Sequence, residues 1–154
     1  MSDEALASHM EFLVAVDGSE QSKRALRYAC EMARAAGASV VLAHAVDPSV
    51  FRAEGVDQTD RKSALVMEGP DEAEARGRDV LEDAVELARE SGFDPEAELL
   101  HGDPAVVVAE HAEERDVTGV YVGHRGLSEE YEAMMGSVAK RLVERSAVPV
   151  TVVS

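Results

Sequence analysis

A chain of 154 residues with 45% hydrophobic content can bury one sizeable core rather than two. Its formal charge of −16, from 31 Asp and Glu against 15 Lys and Arg, is spread over every predicted helix and leaves no basic stripe, which argues against a nucleic-acid partner. No apolar run approaches the roughly 20 residues of a membrane span, and the first residues carry Asp3 and Glu4 where a secretory leader would be basic, so a cytoplasmic location is expected.

Met1 to Met10 is set aside as an N-terminal arm, native or in part appended at Ser8-His9-Met10, leaving residues 11–154 as one domain. Phe12 to Val16 reads as a first strand, ending in the turn and capping residues Asp17-Gly18-Ser19. From Ser22 the residues Ala25, Leu26, Ala29, Cys30, Ala33 and Ala36 mark one helical face, closed by Gly37. Cys30, the single cysteine, is expected to be a buried, inert thiol. Val40 to Val46 is the second strand. Asp47 to Glu68 shows no sustained period and reads as a long surface connection, a candidate lid.

After Gly69-Pro70-Asp71 a second helix places Ala73, Gly77, Val80, Leu81, Ala84, Leu87 and Ala88 on one side and stops near Gly92. Ala97 to Leu100 is a short, polar strand suited to a sheet edge. His101-Gly102-Asp103-Pro104 is a turn into a third helix, with Ala105, Val108, Ala109 and Ala112 inward. Gly119 to Val122 is the fourth strand, followed by a loop from Gly123 to Met135. Gly136-Ser137 opens a last helix with Val138, Leu142 and Val143 inward, and Val148 to Val153 is an edge strand because Pro149 lacks an amide hydrogen. Strands alternating with helices predict an α/β fold, an open parallel sheet covered on both faces. Such a sheet binds ligands beyond the carboxyl ends of its strands, where the strand order reverses.

The strongest local signal is Gly123-His124-Arg125-Gly126, nine further residues, then Gly136-Ser137-Val138. Glycines just past a buried strand let backbone amides approach an anion. Gly136 and Ser137 then offer the amides and positive dipole end of a helix, with the Ser137 hydroxyl as another donor. The stretch from Gly123 to Val138 is therefore the candidate phosphate site.

This spacing resembles that of the universal stress protein family, whose ATP-binding members carry G-x-x-G, nine residues, then G followed by S or T. The resemblance extends over Val16-Asp17-Gly18-Ser19, His44-Ala45-Val46-Asp47, Gly102-Asp103-Pro104 and Val148-Pro149-Val150. It implies a Rossmann-like sheet of the adenine nucleotide alpha hydrolase type, five strands in the order 3-2-1-4-5 with four helices. It also implies an ATP, ADP or AMP site with Asp17 against the nucleoside and Ala45 at the adenine. Val122, Gly123, Gly126, Gly136, Ser137 and Val138 would line ribose and phosphates, with His124 and Arg125 in the intervening turn. Ala15, where some members have proline, and Val16 complete the expected set. A homodimer joined through Val148 to Val153 is implied as well.

Glu129, Glu130 and Glu132 crowd the phosphate loop; Mg²⁺ would reconcile them with a nucleotide, while solvated loop acids are the favoured reading. Met134-Met135 is expected to pack beneath the loop. The histidines His9, His44, His101, His111 and His124 lack ligand spacing, so no metal site is expected, and hydrogen-bonded loop histidines are preferred. No P-loop and no nucleophile elbow occurs, no catalytic residue is assigned, and binding with at most slow turnover is expected. A slow ATPase or transferase on the same site, and a nucleotide-free interaction protein with an unidentified client, remain as alternatives. Lysine stands only at Lys23, Lys62 and Lys140 among the basic residues, and an acid-rich, lysine-poor surface suggests a host that accumulates salt, such as a halophilic archaeon.

Overall fold

The computed structural model describes residues 10–47, 69–124 and 135–154. Five strands form one sheet: β1 (Glu11–Ala15), β2 (Ser39–Val46), β3 (Glu96–His101), β4 (Gly119–Gly123) and β5 (Val150–Val153). Four helices connect them: α1 (Glu20–Ala36), α2 (Pro70–Glu90), α3 (Pro104–Arg115) and α4 (Ser137–Arg145). The strand order is β3-β2-β1-β4-β5 and all four pairings are parallel, as the sequence predicts.

Alternation along the strands divides the core in two. Phe12, Val14, Val16, Leu42 and Tyr121 face α1 and α2, meeting Leu26, Ala29, Cys30, Leu81 and Ala84. Leu13, Val41, Ala43, Val120 and Val122 face α3 and α4, meeting Val108, Ala109, Ala112, Ala139 and Leu142. Leu13, Val14, Leu42 and Val120 are fully buried, the unbroken apolar character that a central parallel strand needs. Small residues on α1 and α2 let the helices lie close to the sheet. A Cβ on Gly77 would stand 2.9 Å from Leu99 and 3.0 Å from His44. Cys30 is buried, and burial pushes its thiol pKa up, which makes it the inert thiol expected.

The ends of the elements follow local chemistry. Ser19 caps α1 by accepting from the Ser22 amide at 3.1 Å, and Gly37 ends that helix in the left-handed region at φ 72°. Asp103 caps α3, with Pro104 in the first turn. At the amino-terminal end of the sheet Arg115 binds Glu11 at 2.6 Å and also reaches Glu96, tying α3 to β1 and β3.

Three local readings change. The last strand starts at Val150, two residues later than predicted; Pro149 contributes only its carbonyl, which accepts from the Val120 amide at 2.9 Å. Val143 is 48% exposed, not inward, because α4 is short and seats itself on Ala139 and Leu142 alone. His101 ends β3 in register with Val46 instead of standing in the turn.

Candidate functional site

The switch point at which a doubly wound sheet forms its ligand crevice lies at the carboxyl end of β1 and β4, adjacent strands with helices departing to opposite faces. Ala15 is in register with Val122 on one side and Ala43 on the other. Ala15 and Val122 pack with the α3 and α4 face, and Ala45, two residues beyond Ala43 on β2, continues that face toward the crevice. Three expected residues thus form a small apolar wall.

Asp17 stands at the next turn and is held from both sides. Its Oδ1 accepts from the Ser19 amide at 2.9 Å, and its own amide donates to Ser22 Oγ at 3.1 Å. Gly18 follows at φ 84°, with Val80 of α2 3.3 Å from where a Cβ would be. The left-handed turn favours glycine, and a Cβ would also crowd Val80. Beneath the turn, the Val16 carbonyl lies 2.7 Å from His44 Nδ1. A carbonyl only accepts, so Nδ1 carries the hydrogen and donates. Burial pushes the His44 pKa down, against the Val16 carbonyl and Asp17, which pull it up. His44 is therefore a half-buried strand residue with a defined partner, on the α2 side of the sheet.

The two glycine turns meet. The His124 amide donates to the Val153 carbonyl at 2.7 Å, and the Gly136 amide donates to the His124 carbonyl at 2.7 Å. These bonds join the end of β4, the end of β5 and the residue capping α4. The Gly136 amide is consequently engaged, which corrects the expectation that it is offered to a ligand. The positive end of the α4 dipole lies at this junction. Ser137 is the first residue of that helix and Val138 the second.

Gly123 also has a packing role. A Cβ there would fall 2.8 Å from the backbone carbon of Gln21 in α1, so glycine is required by helix packing against the strand end. Arg125, Gly126, Glu129, Glu130, Glu132 and Met134 lie outside the described residues, as does the candidate lid from residue 48 to 68. Met135 is 41% exposed.

Arg141 was not singled out by sequence. It is four residues after Ser137, hence one turn along the same side of α4, and its Nη2 donates to Asp103 Oδ2. That carboxylate is held below the usual range by Arg141 first, and also by the Ala105 amide. A separate groove of about 580 Å³ runs between α1 and α2 from the Asp17 turn, with Lys23, Arg27, Arg76, Asp79 and Asp83 among its walls. It lies on the opposite face from Ala15, Ala45 and Val122. Among the described residues no group of three or more His, Cys, Asp or Glu side chains is placed to hold a metal ion, and no helix is long and apolar enough to cross a membrane.

A family model described as "Universal stress protein family" matches residues 10–154. The chain belongs to the universal stress protein family. Universal stress protein YxiE of Bacillus subtilis is 34% identical over 150 residues, with 93% of this chain and 97% of the relative covered. Among solved structures, the universal stress protein UspA from Lactobacillus plantarum superposes with a TM-score of 0.73 at 18% identity, covering 96% of this chain and 99% of that one. A universal stress protein crystallised in complex with cAMP gives a TM-score of 0.68 at 26% identity, covering 95% of this chain and 97% of that chain. The Rossmann-like fold and the family are thereby established, and both agree with the sequence.

Proposed function

We propose that this universal stress protein binds an adenine nucleotide, ATP or its di- or monophosphate, in the crevice between β1 and β4. The observation that carries the reading is the pair of 2.7 Å bonds linking Val153, His124 and Gly136. They put the first turn of α4 beside the end of β4, where the positive end of the helix dipole favours a phosphate. Ala15, Ala45 and Val122 supply an apolar wall for the base. Asp17, fixed by Ser19 and Ser22, supplies an acceptor for hydroxyls of the nucleoside. The related structure with cAMP supports an adenine ligand, and Arg125 and Gly126 belong to the proposed site on the family resemblance.

The nucleotide acts as a binding signal, with Mg²⁺ as the companion ion of a triphosphate, and not as a rapidly consumed substrate. One domain from residue 11 to 154 does the binding, and the site of action is the cytoplasm. β5 ends one edge of the sheet, and an unpaired edge invites a second copy; a homodimer through residues 148–153 follows. The test is isothermal titration with ATP, AMP and adenosine. Ser137→Ala removes one donor to a charged group, so ATP affinity should fall about tenfold, while adenosine affinity should hold. Equal losses for both compounds would remove Ser137 from the phosphate site.

A further inference from the structure

Arg141 and Asp103 join the two helices on the crevice side of the sheet. Asp103 Oδ1 accepts from the Ala105 amide at 3.1 Å, which caps α3, while Oδ2 accepts from Arg141 Nη2. One carboxylate thus ends one helix and anchors another. Asp47, just beyond β2, adds its attraction to the same guanidinium. The three groups come from just after β2, from the turn after β3 and from α4, all at the ligand end of the sheet.

α4 needs such a tether. It has nine residues, buries Ala139 and Leu142, and its cap Gly136 makes no side-chain capping bond. A helix of this length is not directed by its own backbone bonds but by tertiary contacts. The Gly136 bond to His124 holds one end of the first turn, and Arg141 holds the next turn. We propose that Arg141 is a positioning residue of the nucleotide site: by gripping the cap of α3 it sets the direction of the first turn of α4, and so the affinity for the phosphate tail. The inference rests on the nucleotide reading given above. Because the side chains are 43% and 37% exposed, the pair adds little to global stability; its effect lies in aim.

A guanidinium that gripped the ligand directly would behave differently toward Asp103, and this separates the cases. Asp103→Asn keeps a capping side chain but releases Arg141. Arg141→Met removes the charge and keeps an apolar stem. ATP and adenosine are titrated into the wild type, each variant and the double variant, and amide hydrogen exchange is followed in α4. Each single change should weaken ATP binding about three- to tenfold, with the double variant no worse, the non-additivity of one coupled pair. Adenosine binding should stay within about twofold, exchange at residues 140–143, the first amides bonded within α4, should quicken, and exchange in β1 should not change. Arg141→Lys, which keeps the charge, should recover part of the lost affinity and replaces the methionine variant if that fails to fold.

ATP binding that is unchanged or tighter in Asp103→Asn would overturn the proposal and place Arg141 on the ligand. Equal losses for ATP and adenosine would overturn it as a general structural effect. If the wild type binds neither compound the nucleotide reading fails, and exchange alone decides. Quickened exchange confined to α4 then supports the tether, and unchanged exchange overturns it.

Discussion

His44 shows how a single ring couples the core to the crevice. Its Nδ1 hydrogen is committed to the Val16 carbonyl, one residue before Asp17, so the turn that presents the carboxylate is held from below. Burial is the first cause of its lowered pKa; Arg76 lowers it further, while the Val16 bond and Asp17 oppose the shift. The folded chain therefore binds fewer protons at this site than the unfolded chain below the ordinary imidazole value of about 6.5. Stability from His44 is complete above that value and is lost as pH falls into the window beneath it. Urea denaturation should show a lower midpoint at pH 5.5 than at pH 7.5, and His44→Gln, which can still donate, should flatten that difference. An unchanged pH slope in the variant would assign the effect elsewhere. The depressed carboxyl of Asp103 acts lower, in the carboxylate range, and does not blur the comparison.

At the scale of elements, α1 begins where the site begins. Ser19 is buried, accepts from the Ser22 amide and donates its own amide to Asp17, so one residue caps the helix and fixes the turn. Ser19→Ala should cost about 1 kcal/mol of stability and weaken nucleotide binding as well; a stability loss with unaltered binding would uncouple the cap from the site. The capping residues and the helical faces of α1, α2 and α3 are legible in sequence because they depend on neighbours three and four residues away. β3 is legible as an edge because its side chains are polar. Val143 is misread because periodicity cannot tell how much of a nine-residue helix the sheet will cover. Gly123 is recognisable as a required glycine, yet its packing role is set by Gln21, about a hundred residues distant and invisible to spacing. Arg141 is missed for the same cause, since its partner Asp103 lies across a helix pair.

Over the whole molecule the charge of −16 opposes both compaction and the approach of a second copy. About 0.1 M salt leaves a screening length of about 10 Å, and 1 M shortens it to about 3 Å. Sedimentation velocity should therefore show the proposed dimer strengthening between these concentrations, and the denaturation midpoint should rise with it; a dimer weakened by salt would mean that ion pairs, not apolar edges, join the copies. The α1–α2 groove shares the Asp17 turn with the crevice but extends along the face opposite Ala15 and Val122, so residues away from that turn choose between them. Amide shifts mapped by NMR on adding ATP should move at Ala15, Ala45, Val122 to His124 and Gly136 to Val138. Shifts confined to Lys23, Arg27, Arg76 and Asp83, or no shifts at millimolar ATP, would contradict a nucleotide site between β1 and β4.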